Sequence, residues 1–77
     1  MSSSPKVPEV RIEIEREEDG RWLADVPALP GVMAYGNTSE EAVRGAQALA
    51  LRVIADRLEH GEEVPAAVLK AFQPVAA

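Results

Sequence analysis

Seventy-seven residues, no cysteine and a formal charge of −5 exclude a disulfide framework, a thiolate nucleophile and a cysteine-based zinc site. The charge repels nucleic-acid phosphates and favours basic partners, so no direct DNA contact is expected. A chain this short makes one domain, 1–77, whose core contributes little net stability, so self-association would help it.

Residues 1–8, with Ser2, Ser3, Ser4, Pro5 and Pro8, offer few apolar anchors and are expected to be mobile. Neither a signal peptide nor an apolar run near the roughly 20 residues that span a bilayer follows, so the expected setting is cytoplasmic, without a membrane. Residues 9–15 alternate strictly, with Val10, Ile12 and Ile14 on one face and Glu9, Arg11, Glu13 and Glu15 on the other. That period of two predicts a strand with one wet face. Asp19-Gly20 supplies the positive-φ chemistry of a tight hairpin turn, and a second strand is expected over 21–26. There Trp22, Ala24 and Val26 alternate with Arg21, Leu23 and Asp25, which leaves apolar Leu23 on the otherwise polar face.

Pro27 and Pro30 cannot donate to a ladder, and Gly31 after Pro30 suits the third position of a type II turn. Residues 27–31 therefore predict a rigid, exposed connection. A third strand is expected over 32–35, with Met33 and Tyr35 opposite Val32 and Ala34. Gly36-Asn37 breaks it, and Thr38, three residues before Glu41, matches a capping box at a helix start. Glu40 and Glu41 suit the positive end of the helix dipole. Ala42, Val43, Ala46, Leu49, Ala50, Val53, Ile54, Ala55 and Leu58 recur at spacings of three and four, the pattern of an amphipathic helix of about 20 residues. Gly61 is a natural stop, with Arg57 and His60 suited to the negative end. Beyond Glu62-Glu63, residues 66–72 fit either a short helix opened by Pro65 or a fourth strand. Local chemistry favours the helix slightly.

Four carboxylates, Glu13, Asp25, Glu40 and Glu41, suggest a two-metal nuclease cluster. Wet-face alternation accounts for Glu13, and capping and dipole effects account for Glu40 and Glu41. Asp25 is the least explained and can instead bond amides of the following turn. His60, the only histidine, reads as a helix C-terminal cation, and no glycine-rich phosphate loop is present. Neither a catalytic residue, a metal site nor a cofactor is expected. Trp22, Leu23, Asp25, Met33 and Tyr35 are the candidate interface. One helix covers only one face of a three-stranded sheet, and apolar groups on the second face need a homo-oligomer mate or a foreign protein. For Trp22, filling the core is an equal alternative.

The acidic stretch before Gly20, Trp22, the Asp25-Val26-Pro27-Ala28-Leu29-Pro30-Gly31 connection, Gly36, the helix opening at 38–42 and Glu62-Glu63-Val64-Pro65 together resemble the HicB-like domain. This is the antitoxin half of bacterial HicA/HicB toxin-antitoxin pairs. The resemblance covers roughly residues 9–65. It implies an α+β fold of β-β-β-α-β order, a truncated ribonuclease H-like arrangement without the working carboxylates. It also implies a short fourth strand over 67–72, parallel beside the first. The expected function is a non-enzymatic protein-binding module that neutralises a small, basic, HicA-like RNA-cleaving toxin. Because the sequence ends at Ala77 without the family's DNA-binding segment, a stand-alone protein is expected. The alternatives are an oligomeric module with no toxin, or a degenerate metal-dependent nuclease using Glu13 and Asp25.

Overall fold

The computed structural model of the protein describes residues 10–76. The expected mobility of residues 1–8, and the start of the first strand at Glu9, lie outside them. Three strands, β1 (Glu13–Arg16), β2 (Trp22–Asp25) and β3 (Met33–Gly36), form an antiparallel sheet of order β1-β2-β3, followed by helix α1 (Ser39–Glu59) and a short helix α2 (Ala66–Ala71). The α+β class, the three-stranded antiparallel sheet and the long helix agree with the sequence.

The strands are shorter than alternation alone predicts. In the β1/β2 register Glu13 faces Asp25 and Arg16 faces Trp22, so Arg11 would face Pro27, which has no N–H to give. The ladder stops there. The hairpin between β1 and β2 closes with Gly20 N–H donating to the Glu17 carbonyl at 3.0 Å and Glu17 N–H donating to the Arg21 carbonyl at 2.7 Å. Only Gly20 among the loop residues has positive φ, at 91°. This is a three-residue loop with a bulge rather than a two-residue turn.

Residues 26–32 correct an expectation. They form two successive turns, Leu29 N–H donating to Val26 O and Val32 N–H to Leu29 O, each at 2.9 Å. Pro30 and Gly31, the latter at φ 88°, occupy the middle of the second, as a type II turn requires. The connection is not exposed throughout, because the two turns fold Leu29 back under the sheet, where it is 0% exposed.

Helix α1 starts as its sequence predicts: Thr38 Oγ1 accepts the Glu41 N–H at 3.1 Å. At its other end Glu62 N–H reaches the Arg57 carbonyl at 2.8 Å and Gly61 N–H the Leu58 carbonyl at 3.2 Å, the paired bonds of a Schellman stop. The helix packs mainly over β3 and β2 through Ala42, Ala46, Ala50 and Ile54, spaced by four. With Ala24, Val26, Leu29 and Val32 these make the buried core. Small residues let helix and sheet approach closely. A Cβ added to Gly36 would lie 2.5 Å from the Ala42 backbone nitrogen, and one added to Gly45 would lie 3.1 Å from Ala34 Cβ.

Because α1 sits over β2 and β3, Ile14 on β1 points to the helix side yet stays 50% exposed. The expected fourth strand is absent from the described residues. Residues 66–71 are helical, as the Pro65-Ala66-Ala67 opening favours, and Val64 before the helix and Val68 within it rest on the core.

Candidate interaction surface

Ala24 and Ala34 face α1, so strand alternation turns Leu23, Asp25, Met33 and Tyr35 to the opposite side of the sheet, together with Glu13 and Glu15. The register makes these groups neighbours. Glu13 lies beside Asp25 and Asp25 beside Met33, while Glu15 lies beside Leu23 and Leu23 beside Tyr35. With the helix on the other side, Met33 is 45% and Tyr35 50% exposed, whereas Leu23 and Asp25 are half-buried. A Leu-Met-Tyr patch is thus edged on its β1 side by three carboxylates.

Arg21 ties the hairpin loop to this patch. Its backbone N–H donates to Asp19 Oδ1 at 3.0 Å and its Nε to Asp19 Oδ2 at 2.8 Å. Its guanidinium carbon stands 4.5 Å from the centroid of the Tyr35 ring, within cation–π range. The Arg21 backbone N–H, foremost, and then its side chain hold the Asp19 carboxyl below the ordinary aspartate value. At the far end of β1, Arg11 Nη2 lies 2.9 Å from Glu13 Oε2, both half exposed, a pair that adds little stability.

Of the five candidate residues, four share this outer face and Trp22 does not. Trp22 pairs with Arg16 and Gly36 across the ladder, packs half-buried against the core, and has the Arg16 guanidinium carbon 5.9 Å from its ring centroid. Glu13 and Asp25 sit side by side, but Glu40 and Glu41 belong to the first turn of α1. Among the described residues, no group of three or more His, Cys, Asp or Glu is placed to hold a metal ion. His60 Nδ1 lies 2.8 Å from the Asp56 carbonyl oxygen at the end of α1, as a donor capping the helix would.

Residue reading did not single out Arg21 or Glu15. Both were recoverable from parity: once residues 17 and 21 close the hairpin, Glu15 must face Leu23, and Arg21 must share Leu23's side.

No family model matches the chain, and no solved structure matches it. Over 52 residues it is 35% identical to the UPF0150 protein Ta0767 of Thermoplasma acidophilum, a match covering 68% of this chain and 75% of that protein. The chain belongs to the UPF0150 family. In this UPF0150 protein the outer face combines apolar contact area with carboxylates. No described helix of this UPF0150 chain is long and apolar enough to cross a membrane.

Proposed function

We propose that this chain is a non-enzymatic, cytoplasmic protein-binding module of the HicB-like antitoxin type. It neutralises a small, basic, RNA-cleaving toxin by laying its outer sheet face over the toxin's active surface. The observation that carries this reading is the open face itself. Leu23, Met33 and Tyr35 supply contact area, and Glu13, Glu15 and Asp25 supply the charge that steers a basic surface and sets its register. The formal charge of −5 acts in the same direction over a longer range. Membership in UPF0150 is compatible with an antitoxin-like module.

The test is co-purification of the tagged chain with a basic protein whose RNA cleavage it inhibits, repeated with Leu23→Asp and Tyr35→Ala. Both variants are expected to keep the wild-type circular dichroism and to lose inhibition, a central tyrosine at an interface being worth about 2 kcal/mol or more. Undiminished inhibition in both would place the contact elsewhere. Magnesium-dependent RNA cleavage by the purified chain, lost in Glu13→Gln, would replace the proposal with a nuclease.

A further inference from the structure

The end of α1 and the short helix α2 face each other across an open groove of about 360 Å³. Leu51, Ala55 and Leu58 form one wall, Ala67, Ala71 and Phe72 the other, and no charged side chain lines it. Residues 51, 55 and 58 lie on one stripe of α1. On the α2 wall two alanines stand where larger side chains would close the gap. Phe72 rims the groove at 82% exposure, and Leu51, Leu58 and Leu69 are about half exposed or more. Helix α2 has six residues, none of them buried, against the roughly 12 that even a good helix former needs to persist in water. Val68 ties α2 to the core, while its outward groups meet solvent.

Three properties of this end of the molecule fit a second copy. The first is shape. A cavity of about 150 Å³ holds a benzene ring, so the groove has room for a phenyl ring and its flanking atoms, and the chain's only phenylalanine projects from the rim. The second is area. Leu51, Leu58, Leu69 and Phe72 expose on the order of 500 Å², about three-fifths of the roughly 800 Å² that each partner gives to a standard interface, which is the apolar share such interfaces carry. The third is charge. Two copies of a chain at −5 meet most easily where neither presents a charge, which this groove provides and the outer sheet face, edged by carboxylates, does not.

We infer that a second copy of this chain docks here about a two-fold axis, each Phe72 entering the groove of the other copy. Such an interface is isologous, one patch serving as both knob and hole. It covers the apolar surface of α2 and gives that short helix the packing that its own chain withholds. The outer sheet face lies on the side away from α1 and stays open, so the inference stands apart from the toxin reading and can fail without it.

Sedimentation equilibrium of the full chain over a micromolar concentration series tests it. The wild type is expected to be a dimer. Phe72→Ala removes the knob and Ala55→Lys blocks the hole from its other wall, so each is expected to weaken dimerisation by roughly tenfold or more. Both positions are exposed, and each variant is expected to stay folded by circular dichroism. Neither variant can make the contact with its own kind. Mixed in equal amounts, the Ala55→Lys copy still offers its Phe72 to the open groove of the Phe72→Ala copy, so heterodimers are expected where each variant alone is monomeric. A monomeric wild type, unchanged dimerisation in either variant, or a mixture with no more dimer than its components would overturn the inference. A dimer lost in Leu23→Asp but kept in Phe72→Ala would move self-association to the outer face and overturn it equally.

Discussion

The two faces of the sheet divide their residues against intuition. The face under α1 is built from Ala24, Ala34 and Gly36 against Ala42, Gly45, Ala46 and Ala50, and is closely packed. The outer face carries Leu23, Met33 and Tyr35, yet remains open. In so small a domain the helix must come close to a four-residue strand to bury anything, and close approach requires small side chains. Bulk on the other face adds contact area without adding a core.

Gly36 is the sharpest point of attack on this contrast. Replacing it with valine puts a branched side chain where even a Cβ would sit 2.5 Å from the Ala42 nitrogen. Gly36→Val is expected to abolish cooperative thermal unfolding, read by circular dichroism. The same leucine-to-alanine change in two places then measures the difference between regions directly. Leu29→Ala, at a fully buried position, should cost about 3 kcal/mol in urea titrations. Leu23→Ala, on the outer face, should cost about 1 kcal/mol. Equal costs would mean that the outer face is as well packed as the core.

The smallest effect belongs to the hairpin loop. Asp19 is lowered in the folded chain, so its contribution to stability is held above the ordinary aspartate pKa and is lost as acid takes the pH down through the lowered value. In a carboxyl NMR titration the wild-type Asp19 midpoint should fall below the ordinary value. In Arg21→Ala it should return only part of the way, because the Arg21 backbone N–H, the larger cause, remains.

Much of this contrast was legible in the sequence. Alternation paired Leu23 with Asp25 and Met33 with Tyr35 within their own strands, and Thr38, Glu41 and Gly61 marked the helix ends, but the register that puts both pairs on one face came only with the structure. Parity also settles Trp22, which shares a face with Ala24 and therefore the helix side. What could not be read depended on where α1 crosses. Ile14 has the right parity for the core, but the helix axis passes over its neighbours. Leu29 was hidden by its surroundings, since two prolines and a glycine signal a turn without revealing that one turn leads straight into another. The tail was misjudged by analogy: local chemistry at Pro65 favoured a helix, and the family resemblance pointed to a strand.

The length of α1 has a consequence for motion. Its 21 residues extend roughly 31 Å at 1.5 Å per residue, whereas each strand of four residues covers about 13 Å. The helix overhangs the sheet, leaving Leu51 and Leu58 exposed, and beyond it Val64 and Val68 pack against the core that includes Ile54. Backbone amides over the sheet should open to hydrogen exchange only when the whole domain unfolds, while those of the overhang open whenever the short second helix lifts away. One rod thus spans two tiers of stability, anchored at its capped start and breathing at its end.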